Sequence, residues 1–268
     1  MTSDLFDASA MYDEDYLHFF ASSETGGAPT HGPVVGTAYP GTSAAADLAW
    51  RLLDLQPGMT VLDLACGHGA LANALAARGC RVTGLDSSAV FLDRARADAA
   101  AMAVDVDYVS GDMRNLPAWT DRFDRVVNWT TAFGYFDDAT NRTVLSEMAR
   151  VLRPGGRLAI DLDNLTKFLT SYTPSRVTAA LNNGDMLVDR HHLDPLTARF
   201  EATRTVIRDG RARTLTFVKR LFPFPELRDW CEASGFTAVA GHGEDGRPLN
   251  AGHDRMVVTA ERTGGPSS

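Results

Sequence analysis

The stretch VLDLACGHGALANALA, residues 61–76, brings a carboxylate and two glycines close together. Asp63 ends an apolar run, Gly67 and Gly69 follow where the chain must turn, and an alanine- and leucine-rich helix comes next. Backbone N–H groups at such a turn bind phosphates, but an acid beside them would repel a pyrophosphate. The same acid would attract a cation such as the ammonium group of an amino acid. The spacing therefore favours an ammonium-bearing ligand.

Further polar residues follow later apolar runs. Asp86 ends RVTGLD, Asp112 follows VDYVSG, and Asn128 comes near the end of RFDRVVNW. Short apolar strands that alternate with helices indicate crossover connections and a parallel sheet. Ligands of open parallel sheets bind beyond the carboxyl ends of the strands, so we expect these side chains to meet there.

The alternation of apolar strands with helices ends after Asn164. Three segments between 186 and 222 alternate at period two, and RDGR separates the last two as a hairpin turn does. They predict antiparallel strands added to the edge or mouth of the main sheet. A helix starting at a proline and two closing strands follow. The predicted segments are 1–42, a lid; 43–164, the ligand-binding core; 165–224, an antiparallel insertion; and 225–268, the closing elements. For segment 1–42 two alternatives stay open, a helix packed on the flank of the sheet and an arm swapped onto a partner subunit.

Composition restricts the class of protein. The formal net charge of −8 argues against a nucleic-acid partner, and 44% hydrophobic residues suffice for a full core. No apolar run reaches membrane-spanning length, and the acidic N-terminus has no signal-peptide pattern. Three cysteines without metal-like spacing fit a reduced, cytoplasmic setting.

The ordered motifs between Gly58 and Asn164 resemble those of class I S-adenosylmethionine-dependent methyltransferases of small-molecule, actinobacterial type. VLDLACGHG resembles their first motif, VTGLDSS the second, GDMRNLP the third-strand motif, and FDRVVNW and RVLRPGGRL the later ones. The resemblance implies an α/β fold, a Rossmann-like seven-stranded sheet with helices on both faces. The residues themselves add the predicted N-terminal helical lid and the antiparallel strands. The rest of the chain resembles this family in outline only.

The cofactor implied by this resemblance is S-adenosylmethionine. Asp86 would accept two hydrogen bonds from the ribose hydroxyls, and Asp112 one from the adenine amino group. Gly67 and Gly69 would let the backbone approach the carboxypropyl chain, and Asp63 would meet the ammonium group directly or through water. The implied cofactor-binding set is Asp63, Ala65, Gly67, Gly69, Asp86, Ser87, Asp112, Met113, Asn128 and Trp129.

The acceptor side offers aromatic rings and candidate bases. Rings after the fourth strand and in the N-terminal segment would stabilise the sulfonium, sandwich a flat acceptor or form a lid, or else belong to the core. Adjacent strand residues face opposite ways, so only one of the two histidines of DRHHLD can face the site. The candidate catalytic residues are His191, His192 and Tyr16, and the candidate substrate-binding residues are Tyr12, Tyr39, Phe133, Tyr135, Asp161 and Asn164. Strand alternation separates Asp161 from its immediate neighbour, so no metal is expected.

The hypothesis is in-line methyl transfer to an oxygen, nitrogen or carbon nucleophile of a small molecule, typical of secondary metabolism. One alternative is a protein of the same fold that uses the cofactor for binding, regulation or cyclisation. A second is an NAD-dependent oxidoreductase, because GHGALA satisfies G-x-G-x-x-G/A; Asp63 and the GDM triplet disfavour it. The expected partner is a small-molecule acceptor, with neither nucleic acid nor membrane, and a homodimer is left open.

Overall fold

The predicted alternation of strands and helices forms a seven-stranded sheet. The computed structural model describes residues 11–20, 41–181 and 183–264. The strand order is β10-β11-β5-β4-β1-β2-β3, with β11 antiparallel to both of its neighbours and the remaining pairs parallel. The strands are β1 (Thr60–Leu64), β2 (Arg81–Asp86), β3 (Val106–Ser110), β4 (Phe123–Asn128), β5 (Leu152–Asp163), β10 (Phe236–His242) and β11 (Arg255–Arg262). The predicted Rossmann-like seven-stranded sheet is confirmed.

Helices cover both faces of this sheet, as predicted. The helices are α2 (Thr42–Leu52), α3 (Ala70–Ala77), α4 (Ala89–Ala101), α5 (Asp138–Val151), α6 (Leu165–Ser171) and α7 (Phe224–Ala233). Alternating strand residues enter two separate hydrophobic clusters: Val61 packs with α2, α3 and α4, whereas Leu62 packs with α5 and α7. No helix in the described ranges is long and apolar enough to cross a membrane.

The antiparallel strands after Asn164 form a sheet of their own. Its strands β6 (Ser175–Ala180), β7 (Met186–Asp194), β8 (Arg199–Arg208) and β9 (Arg211–Arg220) pair in chain order. The sequence predicted the last three but missed β6 and α6, which are short. Of the two predicted positions, the edge of the main sheet is wrong, because none of the four strands pairs with a main-sheet strand.

The described part of the N-terminal segment lies against this second sheet. It contains helix α1 (Glu14–Phe20), whose Phe19 packs on Leu187 and Val206. Asp15 accepts hydrogen bonds from Arg208 at 2.9 Å and from Arg213 at 2.7 Å. The helix is therefore held by both apolar burial and ion pairs. The acceptor candidate Tyr39 lies outside the described residues.

Candidate active site

A cavity of about 450 Å³ lies where β1, β2, β3 and β4 end. This is the edge of a parallel sheet where ligands bind, and the volume is in the range of small-molecule sites. The cavity brings together ten of the residues predicted from the sequence. They are Tyr12, Tyr16, Ala65, Gly67, Asp86, Ser87, Asp112, Met113, Trp129 and Tyr135.

The glycine turn after β1 is fastened to the end of β2. Asp86 Oδ2 accepts a hydrogen bond from the Gly67 amide at 2.8 Å, and its Oδ1 accepts one from the Ser88 amide at 2.9 Å. Burial raises the pKa of Asp86, and the amides of Ser88, Gly67 and Ser87 oppose that rise. Ala65 at φ +57° and Gly67 at φ +56° give the turn its left-handed backbone. Asp86 thus shapes the turn and also lines the cavity.

Asp63 lies near the end of β1 and is not among the residues that line the cavity. Its side chain is buried, and Oδ2 has no hydrogen-bond partner among the described residues. Burial and the nearby charge of Asp86 raise the pKa of Asp63 to about 7, although a hydrogen bond from the Ala72 amide opposes the rise. A buried carboxylate oxygen without a donor is costly, so this atom is suited to receive a cation or a hydrogen-bond donor.

Gly69 has a packing role in this structure. It precedes α3 at φ +80°, and an added Cβ would lie 2.1 Å from the Tyr108 hydroxyl oxygen. That tyrosine donates to Asn73 Oδ1 at 2.8 Å and so fixes the start of α3. Gly67 lines the cavity, whereas Gly69 is not among its lining residues.

Asp112 is engaged by Arg114 at the far end of the cavity. The Arg114 Nε donates to both carboxylate oxygens, at 3.1 and 2.9 Å. Burial opposes ionisation of Asp112, but the hydrogen bonds and charge of Arg114 outweigh it and hold the pKa below its ordinary value. The Arg114 guanidinium also lies 4.8 Å from the centre of the Phe136 ring.

Aromatic residues from distant parts of the chain form the opposite wall. The Tyr12 hydroxyl donates to that of Tyr135 at 3.1 Å, and Tyr12 and Tyr16 both contact the Phe91 ring. Ser88 Oγ donates to the Tyr12 carbonyl at 2.7 Å, which joins the N-terminal segment to the start of α4. Burial raises the pKa of Tyr12 and of Tyr16, so both hydroxyls stay protonated at neutral pH. The N-terminal segment is therefore part of the cavity wall.

Several candidates from the sequence do not line the cavity. Asn128 is buried and donates to the Leu64 carbonyl at 2.9 Å, and Phe133 is buried against Phe222. Asp161 is paired with Arg255, and Asn164 caps α6. These four residues support the walls of the site without reaching its interior.

The two candidate histidines lie on β7 of the second sheet, and neither lines the cavity. His191 is buried next to Phe200, and its Nδ1 lies 2.9 Å from the Thr173 carbonyl. Burial lowers the pKa of His191. His192 is exposed. The structure therefore does not bring either imidazole to the candidate site.

Sequence reasoning missed further lining residues, and Cys66, His68, Phe91, Arg114 and Thr130 are among them. Cys66 and His68 lie inside the recognised glycine motif, so the motif itself was a sufficient signal. Arg114 follows Asp112 at a spacing that permits a local ion pair. Phe91 and Thr130 carried no such signal, because a phenylalanine on a helix and a threonine after a strand are ordinary in any core or loop.

Comparisons with known proteins agree with this geometry. Residues 61–156 match the family described as Methyltransferase domain. The demethylmenaquinone methyltransferase of Thermus thermophilus is 39% identical over 125 residues, which are 44% of this chain and 56% of that protein. The enzyme of the same name from Mycobacterium tuberculosis is 38% identical over 123 residues, 44% of this chain and 49% of that protein. The chain thus spans about half the length of these curated relatives.

Two solved structures share the fold over most of the chain. The CcbJ methyltransferase from Streptomyces caelestis has a TM-score of 0.70 at 22% identity, covering 84% of this chain and 93% of its own. The SAM-bound CalS10 amino pentose methyltransferase from Micromonospora echinaspora has a TM-score of 0.60 at 23% identity, covering 83% and 90%. The predicted resemblance to class I S-adenosylmethionine-dependent methyltransferases is confirmed by the family match together with this fold.

Proposed function

We propose that this chain, whose residues 61–156 match the Methyltransferase domain family, transfers a methyl group from S-adenosylmethionine to a small-molecule acceptor. One observation carries the proposal: a single cavity joins the Asp86-fastened glycine turn to a wall of aromatic rings. A methyltransferase must hold a charged nucleoside and a second molecule in contact, and this cavity offers a distinct surface for each.

The residues present fit the cofactor. Asp63 Oδ2, buried and without a partner in the described ranges, suits the ammonium group. A side chain at Gly67 would fill the space between the turn and Phe91, which lies 3.6 Å from the position of its Cβ. Asp86, Asp112 and Met113 line the cavity. In this proposal the Asp86 carboxylate accepts from the ribose hydroxyls, and Asp112 and Met113 contact the adenine.

The cofactor supplies an electrophilic methyl group on a sulfonium. The protein's part is to align the nucleophile behind that methyl, and orientation of this kind is worth about 7–11 kcal/mol in favourable systems. Trp129, Tyr135 and Tyr16 line the cavity, and aromatic rings suit a positive charge and an apolar acceptor. Tyr16 stays our candidate for a catalytic contact, whereas His191 and His192 have no part in this proposal.

We also propose that segment 1–42 covers the acceptor and excludes water. Tyr12 and Tyr16 support this because their rings close one side of the cavity while α1 rests on the second sheet. In the same proposal, residues 43–164 hold the cofactor, 165–224 support the acceptor wall, and 225–268 complete the main sheet. The curated relatives and the CalS10 structure suggest quinones and amino sugars as first acceptors to try.

The test separates binding from transfer. Calorimetry should give binding of S-adenosylmethionine and S-adenosylhomocysteine without binding of NAD. Mass spectrometry against a metabolite library should then detect S-adenosylhomocysteine together with a methylated acceptor. Binding of NAD alone would indicate an oxidoreductase, and cofactor binding without any methylated product would indicate a binding or regulatory protein.

A further inference from the structure

Two successive threonines, the first of which lines the cavity, have a strained backbone. Thr130 has φ +58° and Thr131 has φ +56°, directly after β4. The left-handed region is disfavoured for residues branched at Cβ, and such strain persists only where the surroundings enforce it. Thr130 is exposed to the cavity, and the segment 129–136 supplies five of the lining residues.

Buried hydrogen bonds enforce this conformation. Asp161 Oδ2 accepts from the Thr130 amide at 2.9 Å, and the Asp161 carbonyl accepts from the Thr131 amide at 3.0 Å. Arg255 donates to both Asp161 oxygens, at 3.0 and 2.8 Å, and to Thr131 Oγ1 at 2.8 Å. The Arg255 side chain is fully buried, and Asp161 is 3% exposed. One arginine therefore orients both the acceptor of the Thr130 amide and the Thr131 side chain.

The same arginine connects this segment with the second sheet. Arg255 Nη1 donates to Asp163 Oδ1 at 2.6 Å, and the Lys219 ammonium donates to Asp163 Oδ2 at 2.5 Å. On the next residue of β9, the Arg220 amide donates to the Gly134 carbonyl at 2.7 Å. The loop after β4 is thus tied to β5 and β11 at one end and to β9 at the other. Buried charges are costly unless their hydrogen bonds are satisfied, and here they form a continuous network.

We propose that Arg255, acting through Asp161, is a positioning residue that holds Thr130 toward the acceptor. This inference rests on the proposed function. The Thr130 amide is already used, whereas its hydroxyl has no hydrogen-bond partner among residues 11–20, 41–181 and 183–264. The hydroxyl is therefore available to a polar group of the acceptor. Trp129 and Ala132, which flank the two threonines, are positioned by the same backbone.

The first experiment uses Arg255→Lys in the full chain. Lysine keeps the positive charge but lacks the planar guanidinium. It therefore cannot donate hydrogen bonds to both Asp161 oxygens and to Thr131 at the same time. Hydrogen exchange of the Thr130 and Thr131 amides should become at least about tenfold faster, which corresponds to the loss of one hydrogen bond. The Kd for S-adenosylhomocysteine should stay within about twofold, because Asp86 and Gly67 share no partner with Arg255.

Arg204→Lys is the matched control. Arg204 is another buried arginine with a two-point pair, donating to Asp189 at 2.8 Å through both Nε and Nη2. Its replacement should lower the unfolding temperature as Arg255→Lys does, but should leave exchange at Thr130 and Thr131 unchanged. Faster exchange there in both variants would show a general loss of stability and would overturn the proposal.

A second substitution tests the strain itself. Glycine adopts the left-handed region without penalty, so Thr131→Gly added to Arg255→Lys should restore most of the lost protection. For an acceptor found in the library screen, Arg255→Lys should raise the acceptor KM about tenfold, and the added Thr131→Gly should reverse most of it. Unchanged exchange in Arg255→Lys, or no rescue by glycine, contradicts the proposal.

Two further comparisons separate failure of this proposal from misfolding of the variant and from failure of the proposed function. If Arg255→Lys does not fold, Asp161→Asn weakens the same contacts with little change of shape and gives the same exchange measurement. If the wild-type protein methylates nothing, the proposed function fails, while exchange and glycine rescue still decide whether Arg255 holds the threonines.

Discussion

The proposed cofactor side and the proposed acceptor side of the cavity are assembled differently. The cofactor side comes from short consecutive stretches at the ends of β1, β2 and β3, and local hydrogen bonds such as that from Gly67 to Asp86 complete it. The acceptor side combines the N-terminal segment with the loop after β4, and the second sheet and β11 support that loop. Local motifs therefore define the first, whereas long-range contacts define the second.

This difference predicts that the largest effect on binding comes from the glycine turn. Gly67→Val should weaken S-adenosylhomocysteine binding by more than about 100-fold, because the branched side chain enters the cavity and strains a left-handed residue. Calorimetry measures the loss. Gly58→Val is the matched control, since Gly58 also has positive φ but has open space around its Cβ and does not line the cavity. Equal binding by both variants would remove the turn from the cofactor site.

Asp86 should show the next largest effect. Asp86→Ala removes a carboxylate that lines the cavity and fixes the Gly67 amide, so cofactor binding should weaken by about 1.5–3 kcal/mol. Asp107→Ala serves as the control, because its side chain is 62% exposed and is not among the lining residues. A folded Asp86→Ala protein with wild-type affinity would exclude Asp86 from ribose binding.

For Asp63 we expect a smaller effect on cofactor affinity, and one that depends on pH. Its pKa is raised to about 7, so the carboxylate becomes ionised only as the pH rises through that value. An ammonium group binds the ionised form, so affinity for S-adenosylhomocysteine should rise by up to about tenfold between about pH 6 and about pH 8. Calorimetry in buffers of different ionisation enthalpy should also detect proton release. Asp63→Asn should abolish both effects, and their persistence would assign them to another group.

The smallest effect is expected at the N-terminal segment, which we propose to cover the acceptor. Arg213→Gln removes the ion pairs to Asp13 and Asp15, which are partly exposed and so worth about 0.5–1 kcal/mol together. Limited proteolysis within residues 11–20 should become a few times faster, and S-adenosylhomocysteine should slow it. Arg211→Gln, an exposed change on the same strand, should have no effect. Cleavage at the same rate with and without ligand, and in the wild type and the variant, would contradict the proposal that the N-terminal segment covers the acceptor.

The same difference explains what the sequence could predict. The order of strands and helices follows from local periodicity, and Asp86, Gly67 and Asp112 follow from motifs within a few residues. The positions of His191 and Asp161 depended on tertiary pairing that no local pattern encodes. His191 is drawn into the second sheet by burial beside Phe200, and Asp161 is oriented by Arg255, 94 residues later in the chain.

The second sheet shows the same limit in the fold. Alternation predicted β7, β8 and β9 because each has nine or ten residues, but β6 has six and α6 has seven. Whether such strands extend an existing sheet or pair among themselves depends on hydrogen bonds between strands. Burial of Phe200 and Phe217 shows that the new sheet has an apolar face of its own.

Methyl transfer itself tests the central claim most directly. The wild-type protein is incubated with S-adenosylmethionine carrying a trideuterated methyl group and with the acceptor library, and mass spectrometry follows both products. We predict S-adenosylhomocysteine in equal amount to one labelled acceptor, and a loss of both with Gly67→Val but not with Gly58→Val. Cofactor binding by the wild-type protein with no labelled product from any acceptor would contradict the account.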